Sequence, residues 1–109
     1  MVLFPRFAHQ SEAEFARLLD FYKVRWLYEP CSFPIAWDAC GNVKEWFTPD
    51  FYLPQYDMFI ELTVRSSKLI SRKNRKVRLL REAYDDINVK LLTKRDIDRV
   101  FCNRLAPAS

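Results

Sequence analysis

Asp50 and Glu61 are the residues of this chain whose types and spacing can do chemistry. The segment from Lys44 to Leu53 leads through Pro54-Gln55-Tyr56-Asp57 into Met58 to Thr63, which predicts a β-hairpin with a short loop. If those loop residues form a symmetric turn, Leu53 pairs with Met58, and counting back sets Asp50 directly opposite Glu61. Alternation then gathers Phe51, Leu53, Met58, Ile60 and Leu62 on one wholly apolar face. The other face carries Asp50, Tyr52, Phe59, Glu61 and Thr63. A slip by one residue mixes the two sets, so the hydrophobic pattern itself selects this register. Residues directly opposite have Cβ atoms about 5 Å apart, where like charges repel. Two such carboxylates need a shared proton or a cation. Mg²⁺ suits the second solution, being a hard ion held by one or two carboxylates, waters and phosphate oxygens. The plainer alternative is a chance pair with Glu61 bonded to a nearby arginine.

The elements that must position this pair are legible in part. Ser11 with Glu14 reads as a capping box opening a first helix, whose apolar face is Phe15, Leu18, Leu19 and Tyr22. Val24 to Tyr28 reads as a strand closed by Glu29-Pro30, and Phe33 to Trp37 as a further extended piece. Asp38 to Asn42, which includes Gly41, is a turn. After the hairpin, Ser71 is the expected cap of a second helix with Val77, Leu80 and Tyr84 as its buried stripe. Asn88 to Leu92 is an expected buried strand, and Thr93 with Asp96 caps a last helix to about Asn103. The order is helix, three strands, helix, strand, helix. We expect one domain over 1–104 and a frayed tail over 105–109.

Composition narrows the class. Half of the 109 residues are apolar, enough to build a core. A single Gly excludes a Gly-rich phosphate loop, and with it a nucleotide cofactor. His9 is the only histidine, and Cys31, Cys40 and Cys102 have neither zinc spacing nor an even count. Free thiols, no apolar leader and no membrane-length stretch give the expectation of a cytoplasmic protein with no membrane partner. The net charge is +4, and between Arg65 and Arg81 eight Lys and Arg occur without an acid. Arg65, Lys68, Arg72, Arg75 and Arg78 are the candidates for neutralising nucleic-acid phosphates. A merely solvated helix face is the alternative.

The run Phe47-Thr48-Pro49-Asp50-Phe51-Tyr52-Leu53-Pro54, then Ile60-Glu61-Leu62-Thr63, resembles the active-site signature of the PD-(D/E)XK nuclease superfamily. That family has the restriction-endonuclease-like fold, an α/β core with a mixed central sheet, and the element order above is similar to it. The resemblance implies a metal-dependent DNA endonuclease using Mg²⁺, with Mn²⁺ as a substitute. It makes Asp50 and Glu61 catalytic metal ligands and gives the metal the backbone carbonyl of Leu62. It also suggests an acid from the first helix, for which Glu14 is the candidate beside its capping role. The departure is Thr63, which stands where the family has its lysine. Some members carry that lysine on the next helix. At about 100° per residue Lys73 falls within the stripe of Val77, Leu80 and Tyr84, and Lys76 on its border. Both are candidates for the displaced lysine, against the alternative that they are solvated at the helix start. DNA is the expected partner, together with a second copy in a homodimer or a larger protein of a transposition or repair complex. A binding module of the same fold without cleavage is the rival expectation.

Overall fold

The computed structural model describes residues 6–63, 67–93 and 95–99. Arg65, Cys102 and the expected tail lie outside the described residues, as does the side chain of Lys68.

The hairpin forms in the expected register. Strand β4 (Phe51–Leu53) runs antiparallel to β5 (Met58–Thr63), pairing Leu53 with Met58, Tyr52 with Phe59 and Phe51 with Ile60. Its two faces are the two cores of the molecule. Phe51, Leu53, Ile60 and Leu62 pack under helix α1 (Gln10–Phe21) through Phe15, Ala16 and Leu19. Phe59, with Tyr52 at its margin, packs on the other side against Val77 and Leu80 of helix α2 (Ser67–Ala83). One period-two pattern therefore divides a sheet between two helices, giving an α/β sandwich.

Strand β1 (Leu27–Tyr28) adds to β4 antiparallel, and β6 (Val89–Thr93) adds to β5 parallel. The main sheet is thus mixed, in the order β1-β4-β5-β6. The parallel pair is joined by α2, as a parallel crossover requires. A separate two-stranded sheet, β2 (Phe33–Trp37) with β3 (Val43–Phe47), leans on α2. The Tyr84 hydroxyl donates to the Pro34 carbonyl at 2.9 Å and brackets β2 to the end of α2.

Four local expectations change. Lys44 to Leu53 is not one strand: β3 ends at Phe47 and β4 begins at Phe51, the break falling at Thr48-Pro49-Asp50. Pro49 has no N–H to give a ladder. The first helix begins at Gln10 behind His9, without a side-chain cap, so Ser11 and Glu14 form no capping box. The second helix begins at Ser67 rather than at Ser71, because Lys68-Leu69-Ile70 contain nothing that stops a helix. Val24 to Trp26 stay outside β1, since Lys23 turns the chain through φ 59 and the Val24 N–H returns to the Leu19 carbonyl. The Thr93–Asp96 cap does form, with reciprocal bonds of 3.0 and 3.1 Å opening helical residues 95–99. No described helix is long and apolar enough to cross a membrane.

Phe51 is fully buried and touches the rings of Phe7, Phe15, Trp26 and Tyr28. Truncation as Phe51→Ala should lower stability by roughly 3–5 kcal/mol. Urea unfolding followed by tryptophan fluorescence measures it, and a loss below about 1 kcal/mol would contradict this core.

Candidate active site

The site is built where β4 stops. Continuing its register by one hydrogen-bonded pair would set Leu62 against Pro49, which has no N–H to offer. The Leu62 peptide groups on that edge are left to side chains instead. The Asp50 carboxylate takes the Leu62 N–H at 2.8 Å through Oδ2. The Lys73 ammonium donates to the Leu62 carbonyl and lies 3.4 Å from Glu61 Oε2. The Asp50 N–H donates to Glu61 Oε1 at 3.1 Å, so each acid is pinned by the other's strand. Glu29, in the left-handed conformation at φ 46, donates its N–H to the Asp50 carbonyl at 2.8 Å and holds the break in place.

Asp50 and Glu61 are both 7% exposed. Burial pushes the Asp50 carboxyl up to about 6; the Leu62 N–H pulls it down and the charge of Glu12 adds to the rise. Burial, then the charge of Asp50, pushes Glu61 up to about 8, and the Lys73 ammonium offsets only part of this. The pair therefore holds a proton more tightly than two free carboxylates.

The α1 acid whose charge acts on Asp50 is Glu12, not Glu14. Glu12 is 8% exposed, accepts from the Tyr28 hydroxyl at 2.5 Å and from the Ala8 N–H at 3.2 Å. Burial, then the bond to Glu12, pushes the Tyr28 hydroxyl up to about 12. Glu14 is exposed and bonds Gln10 at 3.4 Å; it lines an open cavity of about 470 Å³ together with His9, Leu62 and Thr63. The signal for Glu12 was present in its spacing, because Glu12, Phe15, Ala16 and Leu19 fall on one helix face.

The candidate basic residues separate. Lys73 reaches the pair across the buried stripe, its side chain 27% exposed. Lys76 is half-buried one turn further along, and Arg72 and Arg78 are exposed. Arg75 instead grips both oxygens of Glu45 on β3 at 3.0 Å, a contact that braces the two-stranded sheet against α2. An exposed pair of this kind contributes about 0–1 kcal/mol.

Among the described residues no set of three or more Asp, Glu, His or Cys side chains converges closely enough to hold a metal ion. The donor set is smaller but of the right chemistry for a hard cation: Asp50, Glu61 and the Leu62 carbonyl freed by Pro49. The Lys73 ammonium already stands as a cation on two of those groups. Comparison with protein-family models, characterised proteins and solved structures finds no match to this chain.

A carboxyl whose pKa is higher in the folded than in the unfolded chain contributes stability only while protonated. That contribution is complete below about pH 4 and is lost as the pH rises through about 6 to 8. Asp50→Asn keeps an oxygen for the Leu62 N–H and removes a charge. Without metal, its melting temperature should exceed that of the wild type by a margin that grows from about pH 5 to pH 8. A margin that does not change with pH in thermal melts would show that the two carboxyls do not oppose each other.

Proposed function

We propose that this chain is a divalent-metal-dependent DNA endonuclease of the PD-(D/E)XK kind, with a restriction-endonuclease-like core. The observation that carries the reading is the convergence of buried Asp50 and Glu61, the Leu62 carbonyl and the Lys73 ammonium along the β4-facing side of β5. The element order within the main sheet, one helix, three strands, a second helix and a parallel strand, supports it.

Asp50, Glu61 and the Leu62 carbonyl would hold Mg²⁺ or Mn²⁺. The ion supplies Lewis acidity toward a water and a phosphate oxygen. Hydrolysis forms a bond from the water oxygen to phosphorus and breaks the bond to the leaving sugar oxygen. The proton given up by the water ends on that leaving oxygen through solvent. Lys73 supplies from α2 the positive charge that Thr63 lacks on the strand, stabilising the charge that develops at phosphorus. Lys76, about one turn further along α2, serves as its reserve. Arg72 and Arg78, exposed on α2, meet the DNA backbone. Arg75 belongs to it only at the expense of Glu45. A homodimer supplies a second centre for the second strand; a larger complex is the other assembly in which one small domain can act on duplex DNA.

Thr63 favours a second reading, a DNA-binding module of the same architecture without cleavage. Nicking of supercoiled plasmid decides between them. The wild type should nick with Mg²⁺ or Mn²⁺ and fall silent with EDTA, and Asp50→Asn should abolish nicking while still folding. DNA binding without nicking in either metal would establish the module instead.

Lys73→Ala should reduce the single-turnover rate by roughly a hundredfold or more while changing DNA affinity little, as expected of charge used in the transition state. A lysine that only touches phosphate would weaken binding and lower the salt slope by about one unit. Full-rate cleavage by the double variant with Lys76→Ala would remove both lysines from the chemistry.

A further inference from the structure

Among the described residues, Thr63 alone has a buried side-chain polar atom with no hydrogen-bond partner, its Oγ1. The residue is 2% exposed, so bulk water does not satisfy that hydroxyl. Orphaned buried groups are rare in folded proteins, and a water or ligand commonly accounts for them. Strand alternation places the Thr63 side chain on the same face of β5 as Glu61. The peptide that joins Leu62 to Thr63 is the one gripped by the Lys73 ammonium. Thr63 therefore stands two residues from Glu61 on the same strand and next to the carbonyl that Lys73 holds. Its neighbour in β6, Thr93, makes no hydrogen bond to it, and the Thr93 hydroxyl donates to Asp96 at 2.9 Å.

We propose that Thr63 is a positioning residue whose hydroxyl holds the water that attacks phosphorus, a role that rests on the nuclease reading above. A strand lysine at this position would combine two functions, a hydrogen bond to water and a positive charge. Here the two are divided. Lys73 carries the charge from α2, and the Thr63 hydroxyl, which can both donate and accept, keeps the hydrogen bond on the strand. The hydroxyl retains its own proton throughout; it orients the water and takes no part in the bond exchange at phosphorus. In the metal-free protein without DNA the oxygen has no partner, and the water would join it together with the metal and the substrate phosphate.

The isosteric substitution Thr63→Val separates this role from packing. It removes the orphaned oxygen and keeps the shape, so the metal-free protein should melt roughly 4–8 °C higher than the wild type. Its single-turnover nicking rate in Mg²⁺ should fall roughly a hundredfold, as expected for lost water orientation, with DNA affinity within about twofold. Thr63→Ser, which restores the hydroxyl, should recover the rate to within a few-fold. The proposal is overturned by a valine variant that nicks at the wild-type rate, by one that melts no higher without metal, or by a serine variant as slow as valine. Wild-type protein that nicks with neither Mg²⁺ nor Mn²⁺ overturns the nuclease reading and this role together. Nicking by the wild type with equal nicking by the valine variant overturns the role alone.

Discussion

The rest of the site depends on one missing hydrogen bond. Pro49 has no N–H to give the Leu62 carbonyl, and the β4–β5 ladder stops at Phe51–Ile60, so the Leu62 peptide groups that face β4 find no partner in that strand. A buried N–H and carbonyl must be satisfied by something. Asp50 supplies the acceptor and Lys73 the donor, which brings a carboxylate and an ammonium to within reach of Glu61. The proline next to Asp50 is thus a chemical device as much as a structural one. It converts the end of the β4–β5 ladder into a place where a main-chain carbonyl faces a cation.

Such a place is costly to build. Two carboxylates, with a third, Glu12, acting on Asp50, lie in surroundings that disfavour charge. Lys73 compensates in part, and burying an ion pair rarely stabilises a fold over an apolar equivalent. The surrounding packing carries that cost. Phe51 adjoins Asp50 in the chain and sits in a ring of aromatic contacts, while Val77 and Leu80 seat the helix that delivers Lys73. Tyr28 plays a comparable part for Glu12, tying it to β1 by a short hydrogen bond. Instability concentrated at a handful of polar groups, with well-packed apolar clusters on both sides, is the pattern expected of a functional site.

The parts legible in the sequence were those governed by a strict period. Alternation along Phe51 to Leu53 and Met58 to Thr63 gave the register, both faces of the sheet and the meeting of Asp50 with Glu61. The helical period placed Lys73 on the stripe of Val77 and Leu80, and the structure brings it to Glu61. What was not legible depended on choices between competing local signals. Ser11 and Glu14 have the spacing of a capping box, but burying Phe15 and Leu19 rotates α1 so that Glu12 turns inward and Glu14 outward. The long extended run from Lys44 hid a change of sheet, because β3 finds its partner in β2 and only the chain after Pro49 joins the main sheet. Tyr28 gave no signal at all, since its partner Glu12 is sixteen residues away and depends on the docking of α1.

On the nuclease reading proposed above, the same geometry lets a lysine act from α2 in place of one on the strand. A side chain at 63 points to the α2 face of the sheet, the face that Glu61 shares. A lysine from α2 that snorkels across that face arrives from the opposite direction at the same groups. The ammonium is then held by the Leu62 carbonyl and by Glu61, both fixed by the sheet, so its position depends little on the helix turn that carries it. The strand position is freed for a smaller residue, and Thr63 occupies it with an oxygen that the protein leaves without a partner. The constraint on such an arrangement is the seating of α2. Arg75 on Glu45 and Tyr84 on Pro34 anchor that helix to the two-stranded sheet, at points on either side of Val77 and Leu80. The β2–β3 sheet, which adds no strand to the main sheet, thereby fixes the helix from which Lys73 reaches the acids.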